Sequence, residues 1–318
     1  MQSAKKGSVL VLSLWVLFFL AALTVAAAGH VWAMLQVADR LQSRVVGRIE
    51  ASSMAAWAVA VLEDQLEQVA VTNVWDGVSA DAWNRNESLF VFIREDGTRV
   101  ENAVYFIFPG EDAPQAGIIG ESGRLHLNSE NPELLKRLFA YVGGESGARV
   151  ARALFQDADG KGVGLTGGGD ASYDRKTFRA VEDLLMVDGV DADLYATLSP
   201  HVTVYGRGDT VNVNSATHAV LVAYLLATDD ADIVSRAEVL AHEIISARTE
   251  RGFAGRRDFE ERIPALAGGV WGRWPMGTSS TAFRGIAVGE GRGGQETGLE
   301  IEFVWDTIAG QYVVWRER

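Results

Sequence analysis

The chain has 318 residues, no cysteine and a formal net charge of −13. The length predicts about two domains, and the average composition excludes collagen-like, low-complexity and disordered chains. The lack of cysteine excludes disulfides, thiolate zinc sites and cysteine nucleophiles. The acidic balance argues against nucleic-acid binding, because that needs cationic side chains to replace the counterions on phosphates.

An uncharged apolar segment follows directly on the N-terminus. No charged residue lies between Lys6 and Asp39, and residues 8–28 are almost entirely apolar. As a helix, this segment spans the roughly 30 Å core of a bilayer. Because Lys5 and Lys6 precede it, the positive-inside rule keeps the N-terminus in the cytoplasm and exports the rest of the chain. In a Gram-negative cell the exported part lies in the periplasm.

Three interpretations of this N-terminus remain open. The segment is a removable secretory signal with small residues at Ala26 and Ala28 before the cut, or it is a plain signal anchor. In the third interpretation, residues 1–7 are the leader of a pilin-like protein that is cut between Gly7 and Ser8. Only in the second and third cases does the apolar segment stay in the mature protein.

The sequence after Ala28 becomes amphipathic without a strong helix breaker. Apolar or small residues recur at spacings of three and four, with charged residues between them, which predicts one helix over about 60 residues, 8–72. These recurring residues are Leu35, Ala38, Leu41, Val45, Ile49, Ser52, Ala56, Val59, Leu62, Leu66 and Val69. Such a helix is either the stalk of a membrane anchor or the spine of a pilin-like subunit.

Beyond this helix, strand patterns and helix patterns occupy different parts of the chain. Two β-rich runs at 88–93 and 103–108 flank a turn at residues 95–97, which predicts an antiparallel pair. Helices are predicted at 132–141, 148–155, 175–186, 192–198, 216–226 and 231–249. Strands are predicted again at 282–288, 299–305 and 312–315. The fold class is therefore α+β, in which a large helical insert interrupts a small antiparallel sheet.

Several short segments, in a fixed order, carry a resemblance to one family. They are Gly7-Ser8 with the apolar helix, residues 121–128, residues 155–159 with Gly169, Asp170 and Tyr173, and residues 184–190, 202–206 and 211–216. Together they resemble the minor pseudopilin K subunit of type II secretion systems.

The resemblance implies a pseudopilin fold, in which the long N-terminal helix packs on the sheet. The implied organisation is a cleaved leader at 1–7, a transmembrane and spine helix at 8–72, and the first part of the sheet at 73–130. An all-helical domain with helix–hairpin–helix-like segments follows at 131–275, and the last strands lie at 276–318.

The resemblance also implies a function and a set of partners. The chain would be a non-enzymatic subunit at the tip of the pseudopilus, which initiates or caps assembly for the export of folded proteins across the outer membrane. The implied partners are the I- and J-type minor pseudopilins, the major pseudopilin, the prepilin peptidase and the inner membrane, with no nucleic acid. From the residues alone, a signal-anchored periplasmic scaffold and a membrane-anchored DNA-uptake protein remain alternatives.

Leu12 occupies the fifth position after the predicted cut. Most pilin-like subunits have Glu there, which neutralises the N-terminal amine of a neighbouring subunit. A buried charge without its partner costs on the order of 3–5 kcal/mol, so Leu12 disfavours a place inside the shaft and suits the tip. The K family shares this absence of Glu. Ser8 departs from the bulky apolar residue that the family usually has after the cut.

An acidic, Gly-rich loop is the one candidate metal site in the sequence. Asp157, Asp159 and Asp170 bracket the loop, and Ca²⁺ takes six to eight oxygen ligands. The spacing does not fit an EF-hand, because Lys161 occupies the fifth ligand position. A solvated acidic loop fits the residues equally well. The resemblance implies calcium at the three aspartates, since the α-domain of the family is associated with bound calcium.

The remaining motifs predict structure rather than chemistry. The hairpin at 185–193 is flanked by Asp188, Asp191 and Asp193, whose charges oppose a phosphate. Asn214 is the predicted N-cap of the next helix, and Asn212 is predicted to form an Asx turn. His242-Glu243 lacks the second His of a zinc-binding helix. The five histidines are scattered along the chain, and we therefore predict a non-enzyme.

Overall fold

The structure is a computed structural model that describes residues 4–72, 92–93, 99–100, 103–107, 114–129, 132–155, 177–206, 210–267, 276–289 and 299–318. Helix α1, Ala4–Thr72, is continuous over 69 residues and confirms the predicted long N-terminal helix. At about 1.5 Å per residue its length is on the order of 100 Å. Residues 10–42 are exposed throughout, while the later part of the helix packs on a sheet.

The predicted antiparallel sheet is confirmed and has six strands among the described residues. The central strand β10, Ala282–Gly289, pairs with β11, Leu299–Asp306, along its whole length. Strand β12, Gln311–Glu317, continues the sheet beyond β11. On the other side of β10 lie β3, Val104–Phe106, and β5, Ile119–Gly120, and β4, Gln115–Ala116, pairs with β3.

One predicted strand pairing is wrong. The run at 88–93 was expected to pair with the run at 103–108, but β1, Phe92–Ile93, pairs with β2, Arg99–Val100. The chain therefore turns back sooner than the β-rich pattern indicates. This leaves Val104–Phe106 free to join the central strand of the main sheet.

Seven helices lie among the described residues, and several predicted boundaries change. Beyond α1 they are α2, Pro132–Phe155, α3, Ala192–Leu198, α4, His218–Leu226, α5, Ala231–Ser235, α6, Ala237–Glu250, and α7, Arg256–Arg262. The helices predicted at 132–141 and 148–155 are two parts of α2, separated by Gly144 at φ 56°. The single helix predicted at 231–249 is divided into α5 and α6 at Arg236. Of the helix predicted at 175–186, the described part is helical only in a 3₁₀ turn, Val181–Met186.

Within the described ranges, two short parallel strand pairs also lie beside these helices, and the sequence pattern did not indicate them. Strand β6, Leu125–His126, pairs with β7, Val202–Thr203, and β8, Val211–Asn212, pairs with β9, Met276–Gly277. Each strand has two residues, too few for a period-2 pattern to be visible. They tie the first and last segments of the helical region to its middle.

The buried apolar residues in the described part of the chain form two large clusters. One joins α1 to the sheet and includes Met54, Leu62, Ile118, Phe283 and Phe303. The other lies between residues 125 and 276 and is built mainly from the helices. The domain boundaries drawn from the sequence stay a prediction.

The predicted apolar stripe on α1 coincides only in part with the face of the helix that packs on the sheet. Ala51, Ala55 and Ala58 are fully buried beside Val59 and Leu62. By contrast, the predicted stripe residues Leu35, Leu41, Val45 and Ile49 are exposed. The buried face is rich in alanine because small side chains let a helix lie close to a sheet. The predicted stripe passed through Ala56, which is exposed, instead of through Ala55 and Ala58.

Candidate functional site

The first candidate site is the uncovered N-terminal half of α1. Gly7 and Ser8 lie within this helix, and only their backbone is described. Leu12 is 67% exposed, and the large apolar residues around it are exposed to a similar degree. Among the described residues, α1 is the one helix long and apolar enough to cross a membrane.

This uncovered surface extends further than a bilayer can cover. The charge-free part of the sequence, residues 7–38, is roughly 48 Å long as a helix, whereas the bilayer core is roughly 30 Å thick. Exposed apolar side chains continue beyond it at Leu41, Val45 and Ile49. At about 100° per residue, Val45 and Ile49 lie roughly 120° and 160° around α1 from Ala51, which faces the sheet. Leu41 precedes the contact with the sheet, which begins at Gly47. Other apolar surfaces are needed to cover them.

The helix leaves the sheet at a close backbone contact. A Cβ atom on Gly289 would lie 1.7 Å from the carbonyl oxygen of Gly47 and 2.8 Å from the amide nitrogen of Ala51. Beside this contact, Arg48 forms an ion pair with Glu317 at 2.6 Å. The sheet therefore holds the second half of α1 and leaves the first half free for other contacts.

A second candidate site is a charged cluster between the sheet and the helical region. Glu121, 1% exposed, accepts a hydrogen bond from Nε of Arg284 at 2.5 Å and another from the Thr203 hydroxyl. Arg284 also donates to Glu302, whose other oxygen accepts from Arg318. Burial raises the pKa of Glu121, but Arg284, Arg124 and the two hydrogen bonds outweigh it and lower that pKa to about 2. Burial lowers the pKa of Arg284, but the carboxylates of Glu121 and Glu302 outweigh it and raise that pKa.

This charged cluster lines a cleft of about 300 Å³. The arginines around the cleft already pair with carboxylates. Arg284 and Arg318 both pair with Glu302, and Arg316 pairs with Glu182 at 2.5 Å. Since Glu182 belongs to the 3₁₀ turn and Arg316 to β12, this pair also joins the helical region to the sheet. The cluster is therefore a brace between two parts of the molecule rather than an open anion site.

The sequence segments at 121–128, 202–206 and 211–216 meet beside this brace. A Cβ atom on Gly123 would lie 2.1 Å from the carbonyl oxygen of Ser215, so only glycine fits there. Asn128 both donates to the Phe178 carbonyl and accepts from the Phe178 amide. These segments, which carry much of the family resemblance, therefore pack against one another.

Two asparagines were predicted to organise the start of α4, and one prediction holds. Asn212 accepts a hydrogen bond from the Asn214 amide at 3.0 Å, which confirms the Asx turn. The prediction that Asn214 is the N-cap is wrong, because Thr217 caps α4 by accepting from the Val220 amide. Asn214 instead holds both backbone groups of Phe253. Short polar residues close to a helix start compete for the cap position, and the sequence does not decide between them.

The hairpin at 185–193 joins the 3₁₀ turn to α3. Gly189 has φ 89°, and the Val190 amide donates to the Val187 carbonyl across the turn. Asp191 caps α3 by accepting from the Leu194 amide. The turn is stabilised within the hairpin itself, in agreement with a structural role.

Asp157, Asp159 and Asp170 lie outside the described residues, so calcium stays a prediction. Its test is a chelator titration followed by thermal unfolding. We expect the removal of Ca²⁺ to lower the Tm and its return to restore the Tm. An unchanged Tm would contradict the prediction.

The structure brings together His218, Glu238 and His242, which no motif in the sequence joins. His218 at the start of α4 lies 3.2 Å from His242 of α6, measured between Nε2 and Nδ1. The same Nε2 lies 3.4 Å from a carboxylate oxygen of Glu238, one turn before His242. The missing second histidine of the His242 helix is therefore supplied from another helix. In the sequence, the four-residue spacing of Glu238 and His242 was the pattern that could have indicated this cluster.

Neither a protein-family profile nor a curated protein sequence matches the chain. Among solved structures, the chain is similar to one in the crystal structure of the GspK–GspI–GspJ complex from the type 2 secretion system of enterotoxigenic Escherichia coli. The two share 15% sequence identity, with 85% of this chain and 99% of that chain covered, at a TM-score of 0.47.

Proposed function

We propose that this chain is a minor pseudopilin of the K type, at the tip of a type II secretion pseudopilus. Its role is assembly rather than catalysis: it initiates or caps the fibre that exports folded proteins. It lies in the inner membrane as a single-pass protein, with a cytoplasmic N-terminus and the bulk of the chain in the periplasm.

The observation that carries the proposal is the division of α1 into two halves. Its second half packs on the sheet, whereas residues 10–42 are uncovered, and the charge-free stretch 7–38 exceeds the bilayer core by roughly 18 Å. A plain anchor needs only the bilayer. The extra length, and exposed residues such as Val45 facing away from the sheet, suit packing against equivalent helices of other subunits.

The exposed and uncharged Leu12 supports the tip position. A subunit above this one would present an N-terminal amine without a carboxylate partner, a cost on the order of 3–5 kcal/mol for a buried charge. The I- and J-type minor pseudopilins would contact α1 from the side, and the major pseudopilin would be added below. The family resemblance supplies these partner identities.

The first test is the intact mass and N-terminal sequence of the protein extracted from its native membrane. We expect a mature chain that starts at Ser8, and an uncut chain in cells without the prepilin peptidase. A start at Gly29 would indicate ordinary secretion, and an intact Met1 would indicate a plain anchor or scaffold. Either of these two results would overturn the proposal.

A matched pair of substitutions tests the packing surface itself. Val45 and Val239 are 57% and 56% exposed, but only Val45 lies on α1. We expect Val45→Glu to reduce co-purification with the other minor pseudopilins at unchanged Tm, because it places a charge in an apolar helix contact. Val239→Glu is the control and should leave co-purification intact. Equal behaviour of the two variants would count against this surface.

A further inference from the structure

Three helices converge where His218, Glu238 and His242 meet. His218 is the first residue of α4, while Glu238 and His242 lie on successive turns of α6. One ligand atom from each of the three residues lies within 4.8 Å of the other two. Tyr141 of α2 reaches the same place and donates its hydroxyl hydrogen to Oε1 of Glu238 at 2.6 Å.

The distances match the edges of a tetrahedral metal site. Zinc binds histidine nitrogen and carboxylate oxygen at about 2.0–2.2 Å, so two ligands of a tetrahedral ion lie about 3.3 Å apart. Nε2 of His218 is 3.2 Å from Nδ1 of His242 and 3.4 Å from Oε2 of Glu238. The two rings are tilted by 59° rather than stacked, with their nitrogens turned towards each other.

The two oxygens of Glu238 have different tasks. Oε1 is held by the Tyr141 hydroxyl, and Oε2 is directed at His218. A carboxylate oriented by an outer hydrogen bond is the usual arrangement around a protein-bound metal. Burial and the hydrogen bond to Glu238 raise the pKa of Tyr141 to about 12, so this residue remains a hydrogen-bond donor at neutral pH.

The imidazole of His218 is available to a metal ion at neutral pH. Burial and then the neighbouring His242 lower the pKa of His218, which keeps its imidazole neutral and its lone pair available. Nδ1 of His242 lies 2.8 Å from the Glu238 carbonyl oxygen and donates to it when it carries the proton. Ligation requires this proton on Nε2 instead, which the exposed ring allows because water can accept from it.

We propose that His218, Glu238 and His242 form a binding site for one divalent ion of the zinc class, which clamps α4 to α6. Two imidazole nitrogens and one carboxylate oxygen suit zinc and its neighbours, whereas calcium prefers a shell of oxygens only. Three protein ligands leave the fourth coordination position open to solvent. This site is separate from the aspartates of the predicted calcium loop.

The test is a Co²⁺ and Zn²⁺ titration of the full-length protein in detergent, purified without a polyhistidine tag and freed of metal. We expect one Co²⁺ per chain with the visible absorption of a tetrahedral nitrogen and oxygen site, displaced by one equivalent of Zn²⁺. Zn²⁺ should also raise the Tm, because a ligand that binds only the folded state stabilises it.

Variants assign the ion to these residues. His242→Ala should abolish tight binding, Glu238→Gln should weaken it at least tenfold, and Tyr141→Phe should weaken it about tenfold by freeing the carboxylate. Glu243→Gln is the matched control, since Glu243 is exposed on the same helix but outside the cluster. It should bind Zn²⁺ as the unmodified protein does.

Two results would overturn the inference. One is the absence of stoichiometric Co²⁺ binding, which would leave a hydrogen-bonded histidine pair. The other is binding that His242→Ala and Glu243→Gln share, which would place the ion elsewhere. Neither result affects the proposed place in the pseudopilus, because the N-terminal processing test does not involve this cluster.

Discussion

The ion pair between Glu121 and Arg284 is the residue-scale contact with the greatest consequence for stability. The Glu121 side chain is fully buried, and that of Arg284 is 16% exposed. Removing one member of a buried pair leaves an uncompensated charge, whereas removing both avoids this penalty. The pair also joins the segment that starts at Glu121 to the central strand of the sheet.

We therefore expect Arg284→Met to lower the free energy of unfolding by about 3–5 kcal/mol. The double variant Glu121→Gln with Arg284→Met should recover a substantial part of this loss. Urea unfolding of the full chain in detergent measures both values. Arg257→Met is the control, because its pair with Glu261 is solvated at 93% and 63% side-chain exposure and should contribute nothing measurable. A double variant as unstable as the single one would contradict the charge argument.

His201 makes the stability of the protein sensitive to mild acid. Burial, and then the nearby Arg124 cation, lower its pKa from 6.5 to about 4. Above pH 6.5 the ring is neutral in both folded and unfolded chains. As the pH falls from 6.5 to 4, the unfolded chain binds a proton that the folded chain excludes, so stability is lost in that window.

His201→Gln should reduce this loss while keeping a partner for the Thr217 hydroxyl, which lies 2.9 Å from Nδ1. Between pH 7.5 and pH 5, we expect the unmodified protein to lose about 2 kcal/mol more than the variant does. Urea unfolding at the two pH values gives the comparison. An equal loss in both proteins would assign the acid sensitivity to other groups.

At the scale of the elements, the contact between α1 and β10 decides where the helix stops being covered. Gly47 and Gly289 meet backbone to backbone, and the alanines that follow on α1 keep the helix close to the sheet. Large side chains on this face would hold the helix away. The boundary between the covered and the uncovered half of α1 therefore lies at this backbone contact.

Gly289→Ala should push α1 away from β10, since the new Cβ would lie 1.7 Å from the Gly47 carbonyl oxygen. We expect a loss of about 1–3 kcal/mol, typical of overpacking, measured by urea unfolding. Gly255→Ala is the matched control, because no atom lies within 4 Å of its Cβ position and its extended backbone accepts any residue. A loss of the same size in both variants would contradict the close contact.

Local sequence patterns predicted the elements better than their contacts. The uncharged stretch and the three- and four-residue spacing identified α1, and the β-rich runs at 282–288, 299–305 and 312–315 identified β10 to β12. The same spacing assigned Leu41 and Ile49 to the buried side, which the alanine face takes instead. Glu121 and Arg284 are 163 residues apart in sequence, so no local pattern joins them. The histidine cluster was missed for the same reason, because its two histidines lie on different helices.

For the whole molecule, the helical region begins and ends at neighbouring points of the sheet. Gly120 at the end of β5 pairs with Phe283 at the start of β10. Among the residues that the structure describes, the cluster of buried apolar residues between α1 and the sheet contains none between 119 and 282. The sheet and α1 therefore have their own core, and the chain between these two points is the part that would widen the tip of a fibre.

Replacing residues 122–281 with an Asn-Gly turn would close β5 and β10 into a hairpin and keep both Glu121 and Arg284. We expect this variant to retain helix and sheet by circular dichroism and to be cut before Ser8. If the helical region is the proposed steric cap, this narrow variant no longer blocks addition above it, so pseudopilus length should change and secretion should fall. A variant that replaces only residues 185–193 with a neutral turn is the control for local disturbance. Unchanged fibre length and secretion in the folded large deletion would contradict a steric cap.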